Sequence, residues 1–241
     1  MMKSRPALAL RYNLETLMQS EFWHKRWAKN EIGFHQPGYN SHLESFADKL
    51  AVNPGGRFLV PLCGKSLDLL WLAKQGFRVT GIELSERAAR DFFAENKLEY
   101  EVNNINGVPT YSGRHIDIHC ADFFSFAAND LPPFDAIYDR AALVALPTEM
   151  RRAYANHLAE LIGPDTDMLL ITLDYPQDEM GGPPFSVTRE EVRGLFERKF
   201  SIEQLFSEDC LVKEPRFKAK GLSRMEEQVF LLRKTARQGK A

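Results

Sequence analysis

Apolar positions in this chain fall into short runs separated by amphipathic stretches, and the clearest alternation lies between Arg57 and Glu83. Phe58-Leu59-Val60-Pro61-Leu62 is an apolar run closed by Gly64, and Ser66 to Gln75 carries Leu67, Leu69, Leu70, Leu72 and Ala73 at helical spacing. Gly76 ends that helix, and Phe77-Arg78-Val79-Thr80-Gly81-Ile82 delivers Glu83 to the carboxyl end of a second run. The pattern predicts strand, tight turn, helix, strand: one βαβ unit. Further strands are expected at Ile116–Cys120, Phe134–Tyr138, Met168–Tyr175, Phe200–Phe206 and Gln228–Leu232. Met168–Tyr175 is continuously apolar, as in a strand buried on both faces.

Helices are expected between these runs: Ser41 to Leu50, Glu86–Asn96 capped by Ser85, a helix capped by Thr148 and running to about Ile162, and Arg189–Arg198 capped by Thr188. Leu98 to Gly113 reads as loop, with at most a short strand at Val108–Tyr111. Ahead of the first strand, Phe22, Trp23, Trp27 and Phe34 make a dense aromatic segment, with Ser20 as N-cap and Trp23/Trp27 one turn apart. Such a segment either packs on the sheet as an ordinary helix or folds over the ligand crevice as a lid, at about 21–40. Residues 1–20 read as a weakly patterned lead, and the aromatic onset after Met18 is consistent with a natural start there. Residues 21–241 are expected to form one domain, since no Gly/Ser- or Pro-rich linker divides them.

Composition narrows the chemistry. With 44% hydrophobic residues and a formal net charge of −2, the chain can bury a core but presents no general basic field for nucleic acid. Cys63, Cys120 and Cys210 lack metal-ligand or disulfide spacing, which fits a reducing compartment and no metal site. No apolar run has membrane-spanning length, so a cytoplasmic protein is expected.

Ligands of open α/β sheets bind outside the carboxyl ends of the strands, so the Leu62–Lys65 turn and Glu83 should face one site. A carboxylate about 20 residues beyond a glycine turn suits a ribose diol. The turn has one glycine where G-x-G-x-x-G would cradle a pyrophosphate, which favours adenosine ligands without one, chiefly S-adenosylmethionine. Asp122 and Phe123 follow the Ile116–Cys120 run and either hold an adenine or merely cap the next turn. Asp139-Arg140 ends the following strand. Arg140 there is either near cofactor and acceptor or part of a surface Arg–Asp pair of little energetic consequence. Gly181-Gly182-Pro183-Pro184-Phe185 forms a rigid loop on the same side, and Lys213, Arg216, Lys218 and Lys220 make a basic loop before the last strand.

Taken together, Trp23-His24-Lys25-Arg26-Trp27, Gly33-Phe34-His35-Gln36, the turn Pro61–Ser66, Glu83, Asp139-Arg140-Ala141-Ala142-Leu143 and Gly182-Pro183-Pro184-Phe185 strongly resemble the bacterial branch of the thiopurine S-methyltransferase family. The resemblance covers roughly Phe22 to Leu232 and implies an α/β, Rossmann-like class I methyltransferase fold. That fold is a seven-stranded, mostly parallel sheet with helices on both faces and a final antiparallel strand. It implies S-adenosyl-L-methionine as cofactor, with Trp27, Leu62, Glu83, Asp122, Phe123 and Arg140 binding it, Phe34 and Arg216 facing the acceptor, and Arg140 between the two as the catalytic residue.

The implied reaction is methyl transfer to an aromatic or heterocyclic thiol, extending to selenium or tellurium compounds, by a monomer acting on small molecules. No Ser-His-Asp set is apparent, and an ionised thiol needs mainly alignment. A nucleic-acid amino-methyltransferase would carry Asn/Asp-Pro-Pro-aromatic where this chain has Asp139-Arg140-Ala141-Ala142. A non-catalytic S-adenosylmethionine sensor would carry the same binding residues.

Overall fold

The computed structural model describes residues 20–234. The proposed start at Met18 and the lead through residue 19 lie outside the described residues. Strands β1 (Arg57–Pro61) and β2 (Arg78–Glu83) flank helix α3 (Asp68–Lys74), as the alternating pattern requires. Before them come α1, residues 20–28, and α2 (Ser41–Phe46), which passes into a single 3-10 turn rather than continuing to Leu50. Helix α4 (Glu86–Glu95) starts at Ser85, whose side chain accepts from Ala88 N–H. The remaining elements are β3 (Glu101–Ile105), β4 (Val108–Ser112), β5 (Ile116–Cys120), β6 (Ala136–Asp139), α5 (Ala142–Ala145), α6 (Thr148–Leu161), β7 (Asp167–Asp174), α7 (Arg189–Phe196), β8 (Phe200–Asp209), α8 (Pro215–Lys218) and β9 (Glu226–Lys234).

Together they form one sheet of order β3-β4-β5-β2-β1-β6-β7-β9-β8. Strands β5, β2, β1, β6 and β7 are mutually parallel, and β9 runs antiparallel between β7 and β8. The sheet therefore has nine strands among the described residues, not the expected seven. The difference is the β3–β4 hairpin, which adds antiparallel to β5. Every residue of β3 is exposed, so it carries no apolar alternation. The readable signal was its turn: Asn106 and Gly107 both have positive φ, the requirement of a two-residue hairpin connection, and Asn-Gly is the usual dipeptide there. Two cap assignments also differ. Ser20 lies within α1, and Thr148 is the first residue of α6 behind Pro147 rather than its cap.

Helices cover both faces, as expected. One face buries Leu43, Leu69, Leu72, Ala89, Phe92 and Phe93 from α2, α3 and α4. The other buries Leu143, Met150, Tyr154, Leu158, Val192 and Phe196 from α5, α6 and α7. A third, smaller cluster of Tyr175, Met180, Cys210, Leu211, Phe217, Leu222 and Met225 lies under the long connections near the carboxyl ends of the parallel strands. Because β1 sits between β2 and β6, the strand order reverses at β1, and the crevice opens at that switch point.

Candidate active site

At the switch point the chain must turn sharply from β1 into α3. Leu62 and Gly64 do so with φ of 48° and 54°. A left-handed leucine costs on the order of 1–3 kcal/mol and persists where the surrounding structure over-determines it. Glycine at 64 serves a second purpose, since a Cβ there would stand 3.3 Å from the Trp27 ring. The backbone of the turn is thus open to the crevice on one side and covered by Trp27 on the other.

Glu83, at the end of β2, closes this turn from the neighbouring strand. Its Oε2 accepts from Gly64 N–H at 2.8 Å and its Oε1 from Ser85 N–H at 2.9 Å. A carboxylate has about four lone-pair sites, so two acceptor positions remain for a diol. Burial pushes the Glu83 carboxyl up to about 7, against the opposing pull of the Ser85, Gly64 and Leu84 amides. Burial likewise raises Asp139 to about 6.

For both acids the folded pKa exceeds the unfolded one. Their contribution to stability is therefore fully present below about pH 4 and is lost as pH rises through 6 to 7. Hydroxyl donors on Glu83 would favour its charged form and reverse that trend. The thermal shift produced by S-adenosylhomocysteine is accordingly expected to be larger at pH 8 than at pH 6, measured by calorimetry. Equal shifts at the two pH values would remove Glu83 from contact with the ligand's hydroxyls.

The crevice is a cavity of about 410 Å³ lined by Trp27, Phe34, Leu62, Glu83, Asp122, Phe123, Arg140 and Arg216, so the fold gathers every site residue expected from sequence. Their surroundings differ in detail. Asp122 does cap a turn, its Oδ1 accepting from Phe124 N–H at 2.9 Å, and it also borders the cavity, so its two readings coexist. The Phe123 ring is buried against Tyr154 and His157, whereas the neighbouring half-buried Phe124 also lines the cavity. Both rings border the cavity and both meet His157, Phe123 buried and Phe124 half-buried.

Arg140 is not in a surface pair. Its Nε lies 3.5 Å from Oδ2 of Asp68, which is fully buried at the start of α3, and its Nη2 donates to Gln36 Oε1 at 2.6 Å. Asp68 also accepts from Asn40 N–H and the Tyr138 hydroxyl, so the anchor is itself fixed. The turn carrying Arg140 is held by Asp139, which accepts from Ala142 and Leu143 N–H and from the Tyr154 hydroxyl. Sequence reasoning missed Asp68, because an acid in a helix's first turn is ordinarily read as a dipole partner only.

The aromatic segment lies over this site. Trp23 and Trp27 each meet Phe34 edge to face at 5.6 Å, and all three line the cavity. Arg216 reaches across from α8, donating to Gly33 O while its Nε pairs with Glu214 at 3.1 Å. Cys63 is buried, and its thiol is pushed well up by burial and by the Glu83 charge, so it is an inert core thiol.

A sheet reversing at β1, a single-glycine turn with open backbone, and a buried carboxylate opposite it define an S-adenosylmethionine-dependent methyltransferase of the α/β class. The fold matches solved members: the 1,6-didemethyltoxoflavin-N1-methyltransferase of Burkholderia thailandensis superposes with a TM-score of 0.62 at 17% identity, covering 98% of this chain and 93% of that one. Residues 18–235 match the thiopurine S-methyltransferase (TPMT) family, and the chain belongs to it. Thiopurine S-methyltransferases of Azotobacter vinelandii and Pseudomonas aeruginosa are each 47% identical over 215 residues, 89% of this chain and 99% of theirs.

Proposed function

We propose that the protein transfers the methyl group of S-adenosyl-L-methionine to the sulfur of small aromatic or heterocyclic thiols, thiopurines among them. What supports this most is the pairing of an adenosine-type half, Leu62, Gly64 and Glu83, with an arginine-bearing half in one crevice. The cofactor supplies an electrophilic methyl group on a sulfonium that leaves as a neutral thioether. Leu62 and Gly64 would receive it through backbone, Glu83 through the ribose hydroxyls, and Asp122 with Phe123 or Phe124 at the adenine. Trp27 would cover it, offering an aromatic face to the cation. Arg140, held by Asp68 and Gln36, would stand between cofactor and acceptor and favour the anionic sulfur, with Phe34 and Arg216 facing the acceptor.

Alignment of acceptor and methyl group in the crevice provides most of the acceleration. On this reading residues 21–40 act as a lid within one domain spanning 21–241. Selenium and tellurium nucleophiles belong to the same acceptor range because they are soft and readily ionised. Three buried free cysteines suit a reducing, cytoplasmic setting, and a monomer is the proposed state. Among the described residues no helix is long and apolar enough to cross a membrane.

The test is incubation with radiolabelled S-adenosylmethionine and thiophenol or a thiopurine. Labelled thioether is the expected product, and tight cofactor binding without turnover would make the protein a sensor instead.

A further inference from the structure

The cavity extends well beyond Arg140, and a carboxylate with no part in the account above sits at its far end. Glu227 lies near the start of β9, opposite Leu173 of β7, and both residues line the cavity. In the strand order, Glu227 stands four strands from Glu83 and two from Arg140. At a strand spacing of about 4.8 Å these steps correspond to roughly 19 Å and 10 Å. It therefore belongs to the acceptor's end of the cavity.

That end is otherwise apolar or cationic. Leu173, Cys210, Phe217 and Met225 form its apolar walls, and Arg216 and Lys220 border it. Glu214 is paired with Arg216. Cys210 is buried, donates its thiol to Met225 O and is pushed up to about 11 by burial and by the Glu227 charge, so it is no rival nucleophile.

Glu227 is held from one side only. His42 Nε2 lies 2.9 Å from its Oε2, and the imidazole is itself fixed against Phe206, with ring centroids 4.6 Å apart, and Phe46. Among the described residues the His42 hydrogen bond is to Oε2, which leaves Oε1 with acceptor capacity, and Glu227 borders the cavity. A carboxylate beside bound thiolate would be repulsive, yet the same group is well matched to a neutral acceptor that carries a proton. Heterocyclic thiols present such a proton in their thione form, as a ring N–H next to C=S.

We propose that Glu227 accepts the ring N–H of a thione-form heterocyclic acceptor and takes its proton as the sulfur is methylated. The inference rests on the S-methylation proposed above. In the step, a thione sulfur lone pair forms the new S–CH3 bond. The donor's C–S bond breaks with its electron pair going to the donor sulfur. The C=S π pair returns to sulfur as a lone pair while the N–H electrons form the ring C=N, and the released proton goes to Glu227. His42 acts as a positioning residue that aims the carboxylate.

The test compares Glu227→Gln with the wild type on 2-thiopyridone, which carries the N–H, and on thiophenol, which does not. The ratio of kcat/KM for 2-thiopyridone to that for thiophenol is expected to fall at least tenfold. Binding of 2-thiopyridone to the S-adenosylhomocysteine complex, followed by tryptophan fluorescence, should weaken about fivefold or more, without a matching loss for thiophenol. Glu227→Asp, which keeps a shortened carboxylate, should recover part of both effects and carries the comparison if Glu227→Gln does not fold. Equal changes for the two acceptors, or none, would overturn the role of Glu227. Wild-type protein that methylates neither acceptor would instead overturn the S-methylation reading, and the binding comparison would still decide whether Glu227 meets the N–H.

Discussion

Arg140→Ala is expected to lower kcat for aryl-thiol methylation by about 10²- to 10³-fold, the scale of losing one preorganised charge-stabilising donor. S-adenosylhomocysteine affinity should change by less than about tenfold. The unequal expectation follows from where the side chain is anchored. Its Nε stands 3.5 Å from the buried carboxylate of Asp68, an ion pair without hydrogen-bond geometry among the described residues, and its Nη2 donates to Gln36 Oε1. The group is thus preorganised at the boundary between the two halves of the cavity. Removing it also leaves Asp68 buried without its cation, so a lower melting temperature should accompany the kinetic loss. Rapid-quench turnover and calorimetric titration separate the effects. A large loss of affinity with unchanged kcat would make Arg140 a cofactor residue only.

Glu83→Ala should weaken cofactor binding by about 2 kcal/mol, roughly thirtyfold, through the lost hydrogen bonds between carboxylate and ribose hydroxyls. Gly64 and Ser85 N–H also lose their acceptor, so the turn that receives the cofactor loosens along with the contact itself. Protein stability should respond less than binding, because the mutation simultaneously removes a buried acid that burial has pushed up to about 7. Titration with S-adenosylhomocysteine at pH 8 is the measurement, and an unchanged dissociation constant would rule out the ribose assignment.

Much of this site was legible because local chemistry is written in short stretches. The single-glycine turn, Glu83 at the end of an apolar run, and Arg140 after Asp139 each sit where a βαβ pattern puts strand ends, and all face the cavity. The aromatic pair Trp23 and Trp27, one turn apart, left packing and lid unresolved, and the structure brings both to the cavity with Phe34. Less legible were groups whose role depends on a distant partner. Asp68 becomes Arg140's anchor only when the start of α3 comes beside Tyr138 and the turn that follows β6. Of the β3–β4 hairpin, the short strand at Val108–Tyr111 was anticipated and β3 was missed, because an exposed edge strand need not alternate and only its Asn-Gly turn marked it.

By itself, then, the order of apolar runs and glycine turns determined the alternating α/β architecture, the crevice at β1 and the placing of Leu62, Gly64 and Glu83 on one side of it. Period-two and helical spacing report burial within one element, and strand ends follow directly from it. Tertiary structure alone decided how the acceptor half is assembled. Glu227, His42, Cys210, Arg216 and Gly33 are far apart along the chain, and they meet only because β9 inserts antiparallel between β7 and β8 and carries its own loops back over the crevice. Contacts set by strand insertion leave no periodic trace in any one segment, so Glu227 and His42 had no local signal and Arg216 was expected only through the family resemblance.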